Sequence, residues 1–161
     1  MHKTVGITVG IVAAVAVGFF AMSCGSSTDV KLKTYAATLS PANELPTPRP
    51  TTGTGVATFE DEGTDFLWTL SLTGMTGVTM SHIHLGSATT ASGPVIFNLF
   101  LPNGTTGAVN GVVAQGTINA ANNPTISLDS LRVLFNNGNA YVNVHTAVYP
   151  SGEIRGQVAL K

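Results

Sequence analysis

The chain has 161 residues and a formal net charge of −1, with only 9% charged side chains and 18 glycines. Once an N-terminal leader is set aside, that length houses one core of ordinary size and not two. Lysines and arginines are scattered singly, so no basic run is available to neutralise phosphates, which argues against nucleic acid as a partner. Solubility must come from neutral Gly, Thr, Asn and Ser, a composition that suits a β-rich extracytoplasmic protein.

The chain opens with Met1-His2-Lys3, continues with an apolar run from Val5 to Phe20, and reaches Ala21-Met22-Ser23 just before Cys24. A short positive region, a hydrophobic region and a small-residue cleavage site in that order predict a signal peptide over residues 1–23. Cys24 resembles the lipidated cysteine of a bacterial lipobox, although Ala21 stands where leucine is usual. It is the only cysteine, so no intramolecular disulfide can form, and a lone cysteine at a cleavage site points to acylation and a membrane anchor. Residues 24–33 then read as the anchor cysteine and a small, polar tether, ahead of a domain over 34–161. Two other readings remain. Val5 to Met22 is about long enough for an uncleaved membrane span, and plain secretion fits the same cleavage site. All three place the domain outside the cytoplasm.

From Lys31 onward the pattern predicts short strands separated by Gly, Pro and Asn: Lys31 to Leu39, Gly55 to Glu60, Asp65 to Leu72, Val78 to Leu85, Val95 to Leu101, Val112 to Ile118, Ala140 to His145 and Glu153 to Leu160. Turn chemistry lies between them, including the proline-rich stretch Ser40 to Thr52, Asp61-Glu62-Gly63 and Pro150-Ser151-Gly152. About eight antiparallel strands so spaced predict an all-β Greek-key sandwich. One segment differs: Leu128, Leu131, Leu134 and Phe135 recur near helical spacing, Ser127 or Asp129 can cap the start, and Gly138 follows. A single short helix near residues 127–137 is expected.

The domain contains three histidines. His82 and His84, in SHIHLG, are two apart on a predicted strand and so point the same way, with backbones about 7 Å apart. Ile83 and Leu85 then face the core, and the histidines face the outer surface. In Tyr141 to Thr146, Val142 and Val144 are the apolar pair, so Tyr141, Asn143 and His145 share the polar face. On the last strand Ile154, Val158 and Leu160 are expected inward, with Glu153, Arg155 and Gln157 opposite. Only a short turn separates His145 from Glu153, which predicts that these two face each other across a hairpin.

If the two histidine strands are neighbours, three imidazoles meet near a carboxylate and a guanidinium. Three nitrogen donors with an open position suit copper or zinc. Glu153, Arg155 and Asn143 are then the groups placed to orient the ligands or a substrate. Met80 is in phase with His82 and His84 and offers a thioether, although a strand methionine commonly serves packing. The alternative is structural, with the ring nitrogens bonded to turn backbones and to Glu153. No GxSxG element or glycine loop in a strand-to-helix context is present to support nucleophilic or phosphate chemistry.

Leu39 to Pro46 (LSPANELP), Ser81 to Gly86 (SHIHLG) with Gly93-Pro94-Val95, and Tyr141 to Gln157 (YVNVHTAVYPSGEIRGQ) together resemble the CHRD domain family, over about residues 34–160. The resemblance implies a β-sandwich of immunoglobulin-like or superoxide-dismutase-like form and brings no settled activity. The chain is also distantly similar to copper/zinc superoxide dismutase, which has an HxH pair on an outward strand face and a further histidine ligand late in the chain. It lacks that enzyme's additional histidines and the aspartate of its bridged zinc site. Three functions are therefore carried forward: a lipid-anchored binding module with a copper or zinc site at His82, His84 and His145; a mononuclear copper enzyme that handles superoxide; and a structural or adhesive envelope protein without metal. An extracytoplasmic protein ligand is a further candidate partner.

Overall fold

The computed structural model describes residues 33–100, 107–123 and 125–161. The predicted signal peptide, Cys24 and nearly all of the tether lie outside these residues.

Strands β1 (Lys33–Leu39), β2 (Thr54–Asp61) and β3 (Phe66–Thr76) form an antiparallel meander. Their alternation is clean: Tyr35, Ala37, Leu39, Ala57, Phe59, Phe66, Trp68, Leu70 and Leu72 are buried, while the residues that alternate with them face outward. The chain then leaves this sheet through the single residue Gly77, whose φ of 62° turns it directly into β4 (Val78–Leu85). A side chain is rarely tolerated in that left-handed conformation. β5 (Val95–Phe100) pairs with β4, and β6 (Ala108–Ile118) returns to pair with β3.

Helix α1 (Leu128–Asn136) follows, then β7 (Ala140–Thr146), which crosses to pair with β4. With β8 (Ile154–Gln157) and β9 (Ala159–Leu160), the outcome is two packed sheets, with strand orders β6-β3-β2-β1-β9 and β5-β4-β7-β8. This is the expected all-β sandwich. The return of β6 to β3 after the β4–β5 excursion is a Greek-key connection.

The helix is where the periodicity placed it. Ser127 caps it by accepting a hydrogen bond from the Ser130 amide at 3.1 Å, and Leu131 and Phe135 are fully buried. Phe135 sits 5.0–5.5 Å, centroid to centroid, from Phe59, Tyr35 and Phe66, so the helix closes one end of the core with an aromatic cluster. Each such ring contributes about 1.5–3 kcal/mol through burial alone. Arg132 ties the helix to β2 through paired contacts with Asp61, at 2.8 and 2.9 Å.

The last predicted strand is two strands in different sheets. β8 (Ile154–Gln157) pairs with β7, whereas β9 (Ala159–Leu160) pairs with β1. Val158, fully buried, is the crossing point, and its amide donates to the Ala140 carbonyl at 2.9 Å. Leu160, expected inward, is consequently 58% exposed. A sheet switch leaves the alternation of apolar residues almost intact, which is why the sequence reads as one strand.

Candidate metal centre

The two histidine segments are adjacent strands. The β4–β7 register sets Met80 opposite His145, His82 opposite Asn143 and His84 opposite Tyr141. Ser81, Ile83, Val142 and Val144 are completely buried on the core side, so their alternate neighbours share the outer face. His82 and His145 lie diagonally across the strand pair, with His82 Nδ1 3.2 Å from His145 Nε2.

That outer face is roofed, which the strand pattern alone did not anticipate. His82 and His145 are each only 8% exposed. The segment after β1 is strapped across β8: Ser40 and Arg155 exchange backbone hydrogen bonds of 3.0 and 3.2 Å, and Arg49 Nε donates to the Gly152 carbonyl at 3.1 Å. The loop after β4 is held by the Arg155 guanidinium, which donates to the carbonyls of Thr90 at 2.6 Å and Ser87 at 3.0 Å. All seven residues of β7 are buried, because the core covers one side and these loops cover the other.

Two backbone carbonyls set the histidine tautomers. A carbonyl can only accept, so His84 Nδ1–H donates to Gly93 at 2.8 Å and His145 Nδ1–H donates to Pro150 at 3.0 Å. Both rings therefore present an Nε2 lone pair. His84 Nε2 is buried and has no hydrogen-bond partner among the described residues. Leaving a buried acceptor unpaired costs about 1–3 kcal/mol unless a ligand takes it up.

The His84 ring is also clamped by stacking on Tyr141, 4.9 Å between centroids and 5° from parallel. The Tyr141 hydroxyl accepts from the Gly93 amide at 3.0 Å, so His84 and Tyr141 grip the same residue at its carbonyl and its N–H. Gly93 has to be glycine here, because a Cβ would fall 1.7 Å from the Leu85 carbonyl oxygen.

Electrostatics keep the rings neutral. Burial, reinforced by the neighbouring His145 and His84, pushes the His82 pKa down to about 4. Burial also lowers His84 and His145, outweighing the opposing pull of their carbonyl partners. Neutral imidazoles are the metal-ligating form. One nitrogen from each of His82, His84 and His145 can be chosen so that all three lie within 4.8 Å of one another. The 3.2 Å pair already has the spacing, about 3.3 Å, of two tetrahedral ligands bonded at about 2.0–2.1 Å to one ion.

The other expected site residues are differently employed. Glu153 does not bond His145 among the described contacts; its Oε2 accepts from the Thr146 hydroxyl at 2.6 Å, and the Pro150 carbonyl takes the His145 proton instead. Asn143 donates to Glu44 Oε1 at 2.8 Å. Arg155 lies 3.4 Å from the centre of the Tyr141 ring and holds the roofing loop. Burial raises the pKa of Glu44, only partly offset by the Asn143 hydrogen bond and by Arg49 and Arg155. Tyr141, Gly93, Pro150 and Glu44 were not singled out by the sequence. Tyr141 carried a signal in its phase with Asn143 and His145, while Glu44, Gly93 and Pro150 stood only within the motif and turn segments, with no role attached.

The family described as CHRD domain matches residues 35–158, a span that includes all three histidines, the Gly93 loop and the strap. No curated protein and no solved structure matches the chain.

Proposed function

The chain belongs to the CHRD domain family, and on that footing we propose that it is an exported, lipid-anchored envelope protein whose domain binds one transition-metal ion, copper or zinc, at His82, His84 and His145. The observation that carries this reading is the convergence of neutral donors. Two of the three rings have their Nδ1–H tied to a backbone carbonyl, at 2.8 and 3.0 Å, which leaves Nε2 as the donor atom, in a cluster whose ligand nitrogens can be chosen within 4.8 Å of one another. Histidines that ligate metals characteristically donate their other nitrogen in this way. His84 Nε2, buried and without a protein partner among the described residues, is free to take up a ligand.

The export and anchor parts rest on residues 1–24, where an apolar run is followed by Ala21-Met22-Ser23 and the chain's only cysteine. A Cys24→Ser chain should leave the membrane fraction; its retention there would remove the lipid anchor from the proposal. For the metal, the purified full-length chain should retain close to one equivalent of copper or zinc after loading and desalting. A His82→Ala/His84→Ala chain should retain almost none. Equal metal content in the two would overturn the reading.

A further inference from the structure

The donor set is unusual in its charge. The group that closes within 4.8 Å contains three histidines and neither a carboxylate nor a thiolate. Two buried carboxylates lie against β7, but Glu44 is engaged by Asn143 at 2.8 Å and Glu153 by Thr146 at 2.6 Å. An ion held by three neutral imidazoles therefore keeps its full charge in a site where two of the rings are only 8% exposed. The cost of burying an ion grows with the square of its charge, so a dication pays about four times what a monocation does in the same surroundings.

A fixed positive charge stands close by. β7 lies between β4 and β8, so Tyr141 is sandwiched between His84, stacked at 4.9 Å, and the Arg155 guanidinium, 3.4 Å from the ring centre. Arg155 thus sets a fixed positive charge one ring away from His84. Its guanidinium is pinned by two loop carbonyls and cannot swing away without opening the roof.

The next donor on the same face is soft. Met80 precedes His82 by one strand repeat and is the cross-strand partner of His145, which sets their Cβ atoms about 4.5–5.5 Å apart. Its side chain is not core packing, being 36% exposed. Thioethers favour the cuprous ion, whereas zinc in closed sites takes four ligands and commonly includes anionic ones.

We propose that the three-histidine site selects the cuprous ion over zinc, with the Met80 thioether as its fourth donor. The selection rests on the metal-binding reading above and adds the identity and charge of the ion. It follows from an uncharged, roofed donor set beside a fixed guanidinium, together with a soft side chain in register with His145.

The test is an anaerobic competition on the full-length chain in detergent, with the His82→Ala/His84→Ala chain as the blank. Protein loaded with zinc is given one equivalent of cuprous ion, desalted and analysed for both metals. The expected result is about one equivalent of copper in place of zinc, absent from the blank. Zinc remaining bound would overturn the selectivity while leaving the metal site standing, whereas retention of neither ion, or equal copper in the blank, would overturn the site itself. Met80→Leu conserves volume and should fold normally. It should weaken cuprous binding about tenfold against a chromophoric chelator while leaving zinc binding unchanged. Unchanged cuprous affinity would overturn the thioether's part.

Discussion

His82 is the residue on which the local electrostatics concentrate. Folded, it accepts a proton only near pH 4, because burial and two neighbouring imidazoles oppose the charge; unfolded, it does so near its ordinary value of 6.5. Between those values the unfolded chain binds more protons, so stability falls as pH falls from about 6.5 toward 4. The lowered pKa values of His84 and His145 act in the same direction. Glu44, whose carboxyl pKa is raised in the fold, acts oppositely, since the folded state holds its proton more tightly. The informative quantity is therefore a difference between variants. The melting temperature of the metal-free protein should drop across this window, and a His82→Gln chain should show a shallower drop. Parallel pH profiles for the two would remove His82 as the source.

At the level of elements, strand alternation was readable because it is local. It assigned His82, His84, Asn143 and His145 to one face, and the β4–β7 register bears this out. The roof was not readable, because its contacts join distant parts of the chain: Glu44 meets Asn143 across 99 residues, and Arg155 meets Thr90 across 65. Glycine was the one local trace of the closing loop. Gly93→Ala places a methyl group where the Leu85 carbonyl lies 1.7 Å away, so the loop must move off both His84 and Tyr141. The variant should lose about 0.5–3 kcal/mol of stability and roughly 10- to 100-fold in metal affinity, the usual range when a ligand's orienting partner is lost. Thermal denaturation and metal titration measure the two effects. Undiminished affinity would show that the Gly93 carbonyl does not orient His84.

The whole molecule works as a scaffold that brings two separate histidine motifs together and then dries the junction. The sandwich was legible from short strands and turn residues, and the helix over Leu128–Asn136 from its spacing and its Ser127 cap. The final crossing at Val158 was not, because a strand that changes sheets keeps its apolar alternation. That crossing has a consequence for the site: Gln157, at the end of β8, donates to the carbonyls of Gly86 and Ala140 at 2.8 and 2.7 Å, joining the roofing loop to the start of β7. β7 thus lies at the centre of a layered arrangement, with core beneath and loops above. The proposed site requires His82, His84 and His145 to act on one ion, which X-ray absorption at the metal edge of the loaded full-length chain reads out. The first shell should include three imidazole nitrogens at about 2.0–2.1 Å with their outer-ring scattering; a shell of oxygen donors, or one imidazole only, would show that the three rings do not share an ion.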